Sequence, residues 1–443
     1  MKKEKFIIST LILIVGGFLT KALGMVIKMC MSRIMGSEGI GLYMLILPTF
    51  SLLIGLGQFG LPIALSKLVA EEKKNNRNLF FSLFLISMFI NVVIIVLILV
   101  FGRTLAIHLL HEKRAVLPIL AMSVVIPLTS CSGIVRSYFF GKQEMLPHVI
   151  SNCLEDVVRL GLIVFLLPHF LNKGLEVAVT IVILTNIVSE LSSILVLFFF
   201  LPKKIHFHRS DFSFRKDYAK EAMHISIPTT TSRLIGSLGY FLEPIILTGT
   251  LTYCGYSASF IVNEYGVLSG FVLPLLLLPS FFTSAISQAL LPILSKATSD
   301  GNYTYAKKKV KQGIFFSLLI GIPMTILFLL IPSFFLKLIY HTNQGVPYMR
   351  FLAPICLFQY IQAPLATTLD AMGNSSDNLK ATLIGTILRS SLLFLFSLLH
   401  IGLWGLIFST SINVIFTTLY NYHQVKKAFR KASQHPKIAF SKA

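Results

Sequence analysis

Charge is what this 443-residue chain has least of. Only 13% of its side chains are Asp, Glu, Lys or Arg, about half the share of a soluble domain. Acids are the scarcer sign, 18 against 39 Lys and Arg, and 55% of the residues are hydrophobic. That balance excludes a water-soluble globule and points to an all-α integral membrane protein. Cysteines are few and scattered; Cys30, Cys131, Cys153, Cys254 and Cys356 form no C-x-x-C pair, so no disulfide framework is expected. An A-x-A cleavage site is missing after MKKEKFIISTLILIVGGFL, so this start reads as an uncleaved first span. Walker motifs and nucleophile–base pairs are also missing, and the chain reads as a non-enzyme with no catalytic residue, metal site or cofactor. GLGQFG (55–60) fits G-x-G-x-x-G but lies in an apolar run, where it reads as packing glycine. HFH (206–208) has no partners for a metal.

What is there is a series of apolar runs, approximately 6–33, 40–65, 79–101, 116–138, 150–168, 175–201, 224–250, 263–291, 312–336, 349–371, 381–400 and 404–424. A spanning helix takes about 20 such residues, so about twelve transmembrane helices are expected. The net charge of +21 sits in clusters between these runs, without an RNA-binding pattern, which argues against a nucleic-acid partner. With the N-terminus in the cytoplasm, 27 of the 39 Lys and Arg fall on 1–5, 66–78, 136–149, 202–222, 295–311, 372–380 and 425–443. The positive-inside rule then puts both termini in the cytoplasm.

The segment PKKIHFHRSDFSFRKDYAKEA (202–222) reads as a basic cytoplasmic linker between a six-helix lobe, 1–201, and a second, 223–424, followed by a basic tail, 425–443. The lobes share short motifs in the same order. TKALG (20–24) matches SRLIG (232–236), PIALSK (62–67) matches PILSK (292–296), and YFFGKQEM (138–145) corresponds to TLDAMGNS (368–375). Six helices per copy is an even number, so the copies share one orientation and a site is expected between them.

Five cations fall inside the apolar runs: Lys21, Lys28, Arg159, Arg233 and Arg389. Each costs roughly 2.5–3.5 kcal/mol at a bilayer centre, so each is a functional candidate. Lys21 and Arg233 occupy the same motif position, and Arg159 and Arg389 form a second symmetric pair. Lys28 is one heptad after Lys21, on the same helix face and about 10 Å along it. Together they are expected to line a central cationic cavity. Snorkelling is the alternative for Lys28, and an i,i+4 pair with Glu155 is the leading alternative for Arg159. A guanidinium suits phosphate oxygens through bidentate bonds. Glu243, Glu264 and Asp370 are the candidates for ion or proton coupling, with a plain salt bridge as the alternative.

IMGSEGIGLY (34–43), GLPIALSKLVAEE (60–72), RSYFFGKQEMLPHVISNCLEDVVR (136–159) and SRLIGSLGYFLEPIIL (232–247) resemble the stage V sporulation protein B family. That family belongs with the polysaccharide exporters and lipid II flippases of the multidrug and toxin extrusion superfamily. The most specific piece is R-x-Y-F-x-G-x-x-x-M-x-P from Arg136 to Pro147, followed by Glu155 and Arg159. The resemblance implies two lobes around a cavity, alternating access, and a multi-pass protein of the bacterial cytoplasmic membrane. It implies a flippase for a lipid-linked anionic envelope precursor, a polyprenyl-pyrophosphate saccharide for peptidoglycan or polysaccharide, that of the spore cortex included. Membrane lipids and cell-wall synthesis enzymes are the implied partners. Lipid II flippases carry two further C-terminal helices not found after 424, which implies a shorter relative with another cargo or partner. Two alternatives remain: a cation-coupled multidrug antiporter, and a non-transporting envelope or sporulation assembly protein.

Overall fold

A computed structural model describes residues 2–71, 75–142, 144–200 and 214–434. Most of the linker (through 213, with the HFH run) and the end of the tail (435–443) lie outside the described residues. The described residues form helices and connections, with no strand. In chain order the helices are α1 (Lys2–Gln58), α2 (Leu61–Ala70), α3 (Asn76–Thr104), α4 (Val116–Gly141), α5 (Met145–Leu171), α6 (Leu175–Phe199), α7 (Lys216–Tyr253) and α8 (Ala258–Gly266). They continue with α9 (Leu273–Leu276), α10 (Pro279–Ser299), α11 (Tyr303–Leu330), α12 (Pro332–Tyr340), α13 (Val346–Ala371), α14 (Ser375–Ser397) and α15 (Trp404–Gln434).

The helices follow the twelve apolar runs, with breaks the hydropathy pattern does not mark. α1 leaves helical geometry at Gly36 (φ 69°, ψ −171°), where the first run gives way to the second. The second run breaks again at Phe59–Gly60, both left-handed, before Pro62 near the start of α2. A proline there lacks an N–H that the helix start leaves unbonded in any case. So GLGQFG is split between a helix end and a turn, where a continuous helix is expected from hydropathy. The eighth run is assembled from α8, a π-helical stretch (Val267–Val272), α9 and α10.

Among the described residues, eight helices are long and apolar enough to cross a membrane. α5 misses that criterion because it carries Glu155, Asp156 and Arg159 within one turn. Large side chains such as Phe89, Phe165, Phe199, Leu330 and Ile387 stay exposed. In water such a surface would aggregate; in a bilayer it is solvated by acyl chains.

Chain contacts divide the molecule into two compact units, residues 1–249 with 258–266, and 250–257 with 267–443. In the first, α5 packs on α1 and α6, and α4 on α3 and α6. Leu61, Leu65 and Leu68 of α2 bury against Leu79, Leu83, Ile134 and Ala222, which ties α2 to α3, α4 and α7. In the second unit α13 is central, packed on α10, α11 and α15, while α14 pairs with α15. Leu290, Leu294 and Ala297 of α10 close on Ala306 and Val310 of α11.

Candidate functional site

The intramembrane cations do not share one environment. Lys21 is exposed on α1, and Lys28, one heptad on, is half-buried. Lys28 has no carboxylate partner among the described residues.

Arg233 owes its setting to the build of α7. Pro228 removes one helical donor. The hydroxyls of Thr229, Thr230 and Thr231 then donate back to the carbonyls of Ile225, Ser226 and Ile227 at 2.7, 2.6 and 2.9 Å. Such back-bonding opens a helix on one side. The stretches Lys216–Thr231 and Gly236–Tyr253 meet at 42°, and Arg233 lies at the bend. Its side chain is exposed, without an ion pair among the described residues.

Arg159 is different. It closes the i,i+4 pair with Glu155 that its spacing allows, and reaches Asp156 Oδ1 at 3.7 Å. The pair belongs to a larger network. Arg136 of α4 also binds Glu155, and it meets Glu190 at 2.9 Å and Ser193 at 2.8 Å, both on α6. Glu155 and Glu190 are buried. Sequence reading counts Arg136 with a cytoplasmic segment, but it lies inside α4, five residues before the helix ends, paired with buried carboxylates. Glu190 is absent from the sequence candidates altogether. One signal could have found it: a glutamate in the middle of an apolar helix needs a cation.

In the second unit, Arg389 of α14 donates from Nε to Thr410 Oγ1 of α15 at 3.3 Å. Among the coupling candidates, Glu243 is buried before Pro244 and accepts the Tyr265 hydroxyl at 3.3 Å. Glu264 is half-buried, and Asp370 is exposed at the end of α13. Asp370 therefore sits in a poor place for a proton held away from water.

A second polar cluster gathers around the break in α1. Arg114, in the turn before α4, bonds Glu38 and Glu112 at 2.8 Å each, and Ser259 of α8 donates to Glu38 at 2.7 Å. Ser37 donates to Asn263 at 2.5 Å. Beneath it the backbones touch: a Cβ on Gly41 would fall 1.9 Å from the Val262 carbonyl oxygen, and one on Gly266 2.0 Å from that of Ser37. Only glycine permits that approach.

Comparisons with known proteins show which family this helical scaffold belongs to. The family model described as "Polysaccharide biosynthesis protein" matches residues 7–298. The chain belongs to that family. The model described as MatE matches 244–395. Stage V sporulation protein B of Bacillus subtilis (strain 168) is 34% identical over 440 residues, covering 96% of this chain and 85% of that protein. The lipid II flippase MurJ of the same organism is 20% identical, covering 96% and 83%. A solved multidrug resistance MATE family transporter of the MOP superfamily, inward-facing, superposes with TM-score 0.75 at 14% identity, covering 94% of this chain and 96% of that one. This member of the polysaccharide biosynthesis family is a multi-pass membrane transporter of the bacterial cytoplasmic membrane, with the all-α fold expected from its sequence.

Proposed function

We propose that the chain is a flippase for a lipid-linked anionic saccharide of the cell envelope. The observation that carries this reading is the contrast among its cations. Arg136 and Arg159 are neutralised by carboxylates, whereas Arg233 and half-buried Lys28 have none among the described residues. A partly buried ammonium without a counter-ion is costly, and an anionic cargo supplies one. Lys21, Lys28, Arg233 and Arg389 are assigned to the pyrophosphate; Arg159 is assigned to holding α5 in place. The lobes then exchange access while the lipid tail stays in the bilayer. The name of the lipid II flippase and the description of the polysaccharide biosynthesis family support a cargo of this class, and cell-wall synthesis enzymes are the proposed partners.

Membrane potential alone is sufficient to drive such a step, since a headgroup of charge −2 leaving the cell gains about 4.6 kcal/mol at 100 mV. Glu243 is the carboxylate assigned to any proton coupling, because it is buried where Asp370 is not.

In proteoliposomes, Arg233→Gln is expected to slow flipping of a fluorescent polyprenyl-pyrophosphate saccharide about 10- to 100-fold, the cost of one charged hydrogen bond of roughly 1.5–3 kcal/mol. Lys28→Met should act in the same direction with folding unchanged. Wild-type rates in both variants, with the protein correctly inserted, would overturn the assignment.

A further inference from the structure

The second unit contains a cavity that the cationic reading leaves unused. It measures about 210 Å³ and lies among α10, α13, α14 and α15. Its polar lining comes from Ser280, Thr283, Ser284, Gln359, Gln362, Asn378 and Asn421, and no charged side chain takes part. The lining is under-bonded. Asn421 is 1% exposed, yet its Oδ1 has no partner, and its Nδ2 reaches Asn378 Oδ1 only at 3.5 Å. Ser280 Oγ is also buried without a partner. Gln359 and Gln362 make no side-chain hydrogen bond among the described residues. Buried polar atoms are normally satisfied, so the unpartnered Asn421 and Ser280 atoms, on a space shared with three further carboxamides and two further hydroxyls, call for a ligand.

The chemistry of the lining narrows that ligand. A phosphate would meet amide oxygens and no cation; a metal ion would meet amide N–H donors and no carboxylate; an acyl chain would leave every polar atom unmet. A carboxamide offers a donor and an acceptor side by side, and so does each hydroxyl. Their natural complement is a neutral ring that carries several hydroxyls. The volume corresponds to about seven waters at roughly 30 Å³ each, and is below the roughly 300–1,000 Å³ of sites for drug-sized molecules. The geometry points to a subsite for one neutral sugar ring in this cavity, with Gln359, Gln362, Asn378 and Asn421 as its hydrogen-bonding residues. The assignment rests on the flippase reading for its biological meaning: this cavity takes the sugar of the cargo.

The test is saturation-transfer NMR on the full-length protein in lipid nanodiscs, with methyl β-glucopyranoside and N-acetylglucosamine as probes. Ring-proton signals are expected with wild type and should fall at least tenfold in the Gln359→Leu/Gln362→Leu double variant. Both glutamines are half-exposed and unbonded, so the fold should tolerate this change. Asn378→Leu, also half-exposed, provides the second variant, and thermal unfolding confirms that each is folded. No signal from either sugar in wild type, or signals that survive in both variants, overturns the proposal. So does sodium-dependent stabilisation that these variants abolish in a protein that binds neither sugar. Failure of the flippase reading looks different: sugar binding would still depend on the glutamines while proteoliposomes flipped no lipid-linked saccharide. Flipping without any sugar binding would remove the subsite alone.

Discussion

Arg136 and Arg159 face Glu155, Asp156 and Glu190 inside the first unit, so two guanidiniums answer three carboxylates. Removing one member of a buried pair costs about 3–5 kcal/mol because the other is left uncompensated. Arg136→Met is therefore expected to lower the melting temperature of the detergent-solubilised protein sharply or abolish expression. Adding Glu190→Leu should restore part of the loss, since the two residues share one interaction. A double variant no better than the single one would show that Glu190 is not held by Arg136. The cluster also gives physical content to the motif from Arg136 to Pro147 with Glu155 and Arg159. Its charged members, separated by up to 23 residues, meet in one network, while Tyr138 packs edge-on against Phe80 and Phe140 lies against His148. The motif's charges serve the bundle, whereas the cations assigned to cargo lie elsewhere.

At the scale of elements, the deciding features are breaks. α1 and α8 approach so closely at Gly41 and Gly266 that one added methyl collides with a backbone carbonyl. Gly41→Ala should cost about 1–3 kcal/mol as overpacking, read as a drop in melting temperature. It should also slow formation of an engineered disulfide between Ser37→Cys and Asn263→Cys, which is expected in the parent because those side chains meet there. A disulfide that forms equally fast with alanine at 41 would contradict the close approach. α7 bends for a different reason, through Pro228 and its run of threonines. Replacing Thr229 and Thr231 with valine keeps the shape of each side chain and removes its back-bond. Spin labels at 220 and 240 should then report a narrower spread of distances, and flipping should slow severalfold, because Arg233 rides on that bend.

For the whole molecule, the two scarcities of charge and acid set placement in the membrane. Cationic clusters between spans orient the chain at about 1 kcal/mol per residue near an anionic surface. Substituted cysteines at Lys308 and Lys427 are expected to react with impermeant reagents only from the cytoplasmic side; labelling from outside would reverse the topology. If the cargo carries two negative charges, its gradient responds to voltage by more than three decades per 100 mV, from about 4.6 kcal/mol at roughly 1.4 per decade. Collapsing the potential in proteoliposomes should lower accumulation accordingly. An unchanged level would shift the driving role to Glu243 and protons.

Hydropathy and charge placement determined by themselves that this is an all-helical membrane protein with about twelve spans, because a bilayer rewards long apolar runs wherever they occur in a chain. The Arg159–Glu155 pair was legible too, since i,i+4 neighbours meet on any helix. The breaks at Gly36 and Phe59–Gly60, the pairing of Arg136 with buried Glu190, and the amide-lined cavity were decided only by the tertiary structure. Each depends on residues far apart in sequence: 54 positions separate Arg136 from Glu190, and the cavity draws on four helices between Ser280 and Asn421. A single asparagine or glutamine in an apolar run carries little signal. Packing is what turns several of them into one polar surface.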